Sequence, residues 1–232
     1  MNTDTARQAC DPDTELLGRY VRKILSAPVY HQAICTPLQP APALSEVLGN
    51  QVLLKREDLQ PTFSFKIRGA YNKLVQLSEA QRNCGVITAS AGNHAQGVAL
   101  AARTLGIKAT IVMPTSTPEL KVQGVRSRAA TAVLHGESFP FALAHALALA
   151  QEQGATFVSP FDDPDVIAGQ GTVAMELLNQ HPGPLDAIFV PVGGGWPASG
   201  CCYPRLEPSP TGSRLRRSAP MASRSVGGMS MR

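Results

Sequence analysis

The stretch SFKIRGAYN, residues 64–72, places a lysine three and four positions before a glycine and an alanine. On a helix, Lys66, Gly69 and Ala70 share one face. Two small side chains beside an amine leave room for a flat ligand. A lysine at an apolar, partly desolvated helix start gives up its proton more readily, and the free amine is the nucleophile that forms an imine with a carbonyl compound. The same spacing also suits a surface lysine, with Gly69 serving close helix–sheet packing.

Two further stretches have chemical potential. In TASAGNHAQG, residues 88–97, a strand ends in a small-residue turn and Asn93 reads as the N-cap of the next helix. The N–H groups of Ser90, Ala91, Gly92 and Asn93 are expected to face outward there, which suits a carboxylate or phosphate. An ordinary strand–helix turn has the same composition, and His94 reads as a solvated turn residue rather than a base. In PVGGG, residues 191–195, Gly193, Gly194 and Gly195 let backbone approach an anion and form a nest of N–H groups. A plain flexible loop fits equally. An imine-forming lysine, a carboxylate turn and a phosphate loop at different strand ends together suit a pyridoxal 5'-phosphate enzyme acting on an amino acid.

The elements that must position these residues alternate in type. Helix patterns are predicted at 15–27, 65–77, 93–105, 118–125, 139–153 and 164–180. Strand patterns are predicted at 51–57, 85–90, 109–114, 131–136, 155–160 and 186–192, with a Pro-rich stretch (Pro37, Pro40, Pro42) ahead of the first. The strands are continuous apolar runs, as expected of strands covered on both faces. The reading is therefore an α/β chain, doubly wound, with mostly parallel sheets. Ligands in such sheets bind at the carboxyl ends of the strands, which directs attention to the loops after residues 90, 114, 160 and 192.

Composition narrows the class. Of 232 residues, 44% are hydrophobic and 16% charged, which fits a globular chain. The five cysteines are odd in number and none has CxxC spacing, so reduced thiols are expected, with no metal site. The net charge of +4 is misleading: residues 196–232 contain six arginines and one glutamate, leaving 15 basic and 16 acidic side chains elsewhere. The body gives no reason to expect nucleic acid. With no long apolar run and no apolar leader pattern, the expectation is no membrane span and a cytoplasmic location.

At this point the chain resembles a known family. LLKREDLQPTFSFKIRGAYNKL, TASAGNHAQGVALAA, FDDPDVIAGQGTVAMEL and VPVGGG are similar to threonine ammonia-lyase (threonine dehydratase), of the tryptophan-synthase-β-like, fold type II pyridoxal phosphate enzymes. The opening from Tyr20 to Asn50 resembles the biosynthetic form, and the likeness runs from about residue 18 to 195. The resemblance implies that Lys66 holds the cofactor through an imine and then acts as the base at Cα. It implies that Asn93 contacts the cofactor ring oxygen, that Ser90, Ala91, Gly92, Asn93 and the adjoining His94 form the substrate-carboxylate turn, and that Gly193, Gly194 and Gly195 hold the phosphate. The implied reaction converts L-threonine to 2-oxobutanoate and ammonia, in isoleucine biosynthesis, and L-serine to pyruvate. A serine dehydratase or racemase of the same fold is the alternative within the class. A homo-oligomer acting on a small-molecule amino acid is the implied assembly.

The likeness stops where Trp196 stands in place of a fourth glycine. The following residues are rich in proline, serine and arginine and show no helical or strand period. That bias resembles a coding sequence read out of frame, so a frameshift near codon 195 is expected, with an ordinary disordered tail as the alternative. The expected organisation is a two-domain fold with the larger domain incomplete: residues 1–59 and 156–195 in the larger domain, 60–155 in the smaller one, and 196–232 an aberrant tail. The group at the pyridine nitrogen and an isoleucine-sensing domain would lie beyond residue 195. The chain is then either a lyase retaining some activity or a non-catalytic fragment of one.

Overall fold

The computed structural model of the chain describes residues 12–191. Residues 12–182 belong to one compact unit; those from Gly183 belong to a second, described over 183–191.

The first unit centres on four parallel strands. β3 (Val86–Ala89) pairs on one side with β4 (Ala109–Met113), which pairs with β5 (Thr131–Leu134), and on the other side with the two-residue β6 (Thr156–Phe157). The order β5-β4-β3-β6 reverses direction at β3, as a doubly wound sheet requires. Alternate residues feed two cores. Val86, Ile111 and Met113 point into the larger one, with Val98, Ala99 and Ala102 of α5 (Asn93–Leu105). Ile87, Ala89 and Val112 point into the other, against Ala142, Ala146 and Ala150 of α7 (Phe139–Gln153). Burial on both faces is why these strands read as unbroken apolar runs.

Away from this sheet, α1 (Pro12–Leu25) packs on α8 (Pro164–Gln180), and α3 (Lys66–Val75) lies between α5 and α8. The helix approaches are close because glycines face them. A Cβ on Gly169 would lie 2.6 Å from Arg68 O and from Gly69 Cα, and one on Gly97 would lie 3.1 Å from the Lys66 carbonyl carbon. Asp163 caps α8 by accepting from Asp165 N and Val166 N, with Pro164 at the first position. The turn of α6 (Glu119–Arg126) and the short α4 (Glu79–Cys84) complete the helices beside the sheet.

The structure adds one ordered region and changes two expectations. In the Pro-rich stretch, β1 (Leu38–Pro40) pairs antiparallel with β2 (Leu53–Lys55), and α2 (Pro42–Leu48) bridges them. Pro42 opens α2 and Gly49 closes it at φ 60°, the left-handed conformation that glycine tolerates. The strand expected at 51–57 is accordingly shorter and belongs to this ribbon. Finally, no strand forms over 186–191; an apolar side-chain pattern records burial and does not by itself supply the partner that a strand's hydrogen bonds need. No described helix is long and apolar enough to cross a membrane.

Candidate active site

A cleft of about 260 Å³ opens at the carboxyl end of the parallel sheet, lined by Lys66, Ala89, Ser90, Ala91, Asn93, His94, Phe139, Pro160 and Phe161. Each group arrives from a different element. Lys66 is the first residue of α3, Ser90 to His94 follow β3, Phe139 opens α7, and Pro160 and Phe161 follow β6. The loops after residues 90 and 160 thus converge as the topology requires.

Lys66 is half-buried. Its Nζ donates to Pro160 O at 2.8 Å and sits over the Phe161 ring, 4.7 Å from the centroid, with Phe65 at 5.4 Å. Among the described residues no carboxylate pairs with it. Burial pushes its pKa below the ordinary lysine value, which enlarges the neutral, nucleophilic fraction. The other buried or half-buried basic groups near α3 are engaged with acids: Arg68 with Glu57 and Glu176, and Lys73 with Asp163 and Asp165. Lys66 differs from them in having only a neutral carbonyl and aromatic faces around it.

The turn after β3 differs from its reading in detail. Gly92, not Asn93, is the N-cap; Asn93 is the first helical residue. The capping oxygen comes from Ser90, whose Oγ accepts from Gly92 N and Ala95 N, both at 3.2 Å. Ser90 N itself donates to Val112 O, so the N–H groups of Ser90 and Gly92 are engaged within the protein. Ala91 N, Asn93 N and His94 N have no acceptor among the described residues, and of the four donors expected to face outward Ala91 N and Asn93 N are left to meet an anion. Asn93 is exposed on the cleft wall.

His94 corrects the reading most. It is 3% exposed, not solvated. Its Nε2 lies 3.3 Å from Val158 O, which also accepts from Thr88 Oγ1 at 2.7 Å. Burial, with the nearby Lys66 charge, lowers its pKa from 6.5 to about 4, so the imidazole is neutral near neutrality. A polar ring just after a turn gives no sequence signal of burial; the helix face that His94 shares with Val98 does.

The aromatic groups Phe139 and Phe161 were not singled out from sequence, although Phe161 follows a strand end already marked as a ligand position. Gly193, Gly194 and Gly195 lie outside the described residues. The described donor set still fits pyridoxal phosphate: an unpaired, desolvated amine at a strand-end cleft, flanked by free N–H groups.

Comparison with known proteins agrees in kind. The family model described as pyridoxal-phosphate dependent enzyme matches residues 30–216. The chain is 58% identical over 184 residues to an L-threonine dehydratase of the biosynthetic type from Burkholderia multivorans, covering 78% of this chain and 36% of that protein. It is 61% identical over 176 residues to the biosynthetic, chloroplastic threonine dehydratase of Arabidopsis thaliana, covering 76% and 30% respectively. It thus spans about a third of the length of the curated relatives it matches. Among solved structures, the processed form of threonine deaminase isoform 2 from Solanum lycopersicum superimposes with a TM-score of 0.75 at 50% identity, over 79% of this chain and 50% of that one.

Proposed function

Because the chain belongs to the pyridoxal-phosphate dependent enzyme family, we propose that it carries the lysine-bearing portion of a threonine ammonia-lyase, converting L-threonine to 2-oxobutanoate and ammonia and L-serine to pyruvate. The observation that carries this reading is Lys66: a half-buried amine of lowered pKa, without an acidic partner among the described residues, at the sheet's carboxyl end.

In this reading Lys66 holds the cofactor covalently, Asn93 contacts its ring oxygen, and Gly193, Gly194 and Gly195 receive its phosphate. When bound, the cofactor would supply an electron sink for the pair left as a proton leaves the substrate Cα. The protein's own residues do the rest. The N–H groups of Ala91 and Asn93 hold the substrate carboxylate at the start of α5, where the helix dipole favours negative charge. That grip turns Cα toward α3, whose first residue presents the amine that takes the Cα proton. Phe139, Pro160 and Phe161 screen the amine from water and keep it neutral often enough to act. The substrate then loses its β-hydroxyl as water, and hydrolysis of the released enamine gives the oxoacid and ammonia. The reading extends to a small-molecule amino-acid ligand, a homo-oligomeric state and a cytoplasmic setting.

The test has two readouts. Pyridoxal phosphate added to the purified chain is expected to give a long-wavelength absorbance band that Lys66→Ala abolishes, and threonine is then expected to yield 2-oxoacid faster than serine does. An identical spectrum in Lys66→Ala sinks the assignment of the lysine. A lysine-dependent band with no oxoacid from either substrate leaves a cofactor-binding fragment and sinks the lyase.

A further inference from the structure

One segment grips Lys66 in two places. Pro160 O receives its amine and the Phe161 ring lies beneath it. Further along the same segment, α8 meets the helical turn from which the amine projects. There Gln170 Oε1 accepts from Gly69 N at 3.1 Å. In an unbroken α-helix that N–H would donate to Phe65 O, but Phe65 O receives Arg68 N instead, at 3.1 Å. α3 has no side-chain cap of its own, so an acceptor from another helix closes its first turn. A backbone N–H can only donate, so the carboxamide oxygen, not its nitrogen, faces Gly69. Gln170 Nε2 is sealed from solvent and has no acceptor among the described residues, so this one bond and the packing around it hold the group. A Cβ at Gly69 would lie 2.4 Å from Gln170 Nε2: the room expected beside Gly69 is filled by the carboxamide. Gly169 lets α8 come this close to α3, and α5 abuts the same turn at Gly97, where a Cβ would lie 3.1 Å from Lys66 O.

We propose that Gln170 is a positioning residue for Lys66, its carboxamide oxygen fixing the first turn of α3 on α8 and so holding the Lys66 amine against Pro160 and Phe161 in the cleft. The inference rests on the reading of Lys66 as the reactive amine and deepens it. Its test needs neither cofactor nor substrate, so either idea can fail while the other stands.

The measurement is the limiting rate of Lys66 acetylation by acetic anhydride, at pH above the amine's titration, in the cofactor-free protein. Above that pH the rate reports how well the cleft walls shield the amine, and mass spectrometry of the Lys66 and Lys73 peptides reads it. Gln170→Met keeps the length of the side chain and removes the acceptor. It is expected to raise the Lys66 rate about fivefold, the population shift that one ordinary hydrogen bond governs, while Lys73, in the last turn of α3, keeps its wild-type rate. Gln170→Glu, which retains an acceptor oxygen, is expected to return Lys66 to the wild-type rate. An unmoved Lys66 rate in a folded Gln170→Met overturns the proposal. So does a rise that Lys73 shares, which marks loosening of the whole helix, and so does a Gln170→Glu protein as reactive as Gln170→Met. If Gln170→Met does not fold, Gln170→Asn decides: its oxygen stops a methylene short of Gly69 N, and a Lys66 rate equal to that of the wild type overturns the proposal.

Discussion

A buried imidazole leaves its mark on stability as well as on chemistry. With a folded pKa of about 4 against an ordinary 6.5, His94 takes up a proton more readily in the unfolded chain than in the folded one. Between these values the unfolded state binds more protons, so stability falls as pH drops through the window and is unaffected by this group above it. The full loss is about 3 kcal/mol. Chemical denaturation at pH 7 and pH 4 should show His94→Gln losing less stability on acidification than the wild type, by an amount of that order. At the neighbouring turn, Ser90 Oγ serves two backbone donors. Ser90→Ala leaves both without an acceptor and should lower stability by about 1 kcal/mol, as lost caps do, read from the denaturation midpoint.

Among the elements, the helix bearing Lys66 is placed by contacts that tolerate no added atom. A Cβ at Gly169 would fall within 2.6 Å of the α3 backbone, which has no flexible end to yield. Gly169→Ala should therefore push α8 from α3 and destabilise the fold by about 1–3 kcal/mol, with a lowered melting temperature as the readout. Much of this scale was legible in advance: α5, α7 and α8 occupy the expected positions, because their apolar periodicity and end signals agree. The failures have physical causes. The prolines at 37, 40 and 42 give no periodic pattern to read, yet a proline at a helix start is compatible with order, and Pro42 is one. The capping box of α4, Ser78 with Gln81, is a helix start that the sequence spacing carries. Asn93 lost the cap to Ser90, because a hydroxyl at the end of a strand can reach forward into the turn, which spacing alone does not reveal. The apolar run at 186–191 looked like a strand because side-chain pattern records burial, whereas a ladder requires a partner. At the site, the lysine and the turn were legible as types; the burial of His94 and the aromatic walls depended on tertiary contacts.

On the scale of the whole unit, Arg68 joins segments far apart in sequence. It is fully buried, donates to Glu57, to Glu176 and Thr172 on α8, and to Ile34 O, while Lys55 of β2 also pairs with Glu176. Burial works to raise the Glu176 pKa, but hydrogen bonds from Arg68 and Lys55 outweigh it and hold the carboxyl below its ordinary range. Stability from this group is present above the ordinary carboxylate pKa and is lost as pH falls through the depressed one. Arg68→Met strands Glu57 without a cationic partner and leaves Glu176 with Lys55 alone; it should cost about 3–5 kcal/mol, enough to detach the β1–β2 ribbon or unfold the chain. Circular dichroism melts would register it, and unchanged melting would mean that water already serves these acids.

The brevity of β6 has a use. Because pairing there ceases after Phe157, the next carbonyls along the chain are not consumed by neighbouring backbone amides, and side chains claim them instead: Thr88 and His94 at Val158, Lys66 at Pro160. A strand running on through Pro160 would have spent those oxygens on regular structure. The polar interior of the cleft is thus a by-product of where one edge strand gives out, and small shifts of that edge would be felt by the imidazole and the amine together.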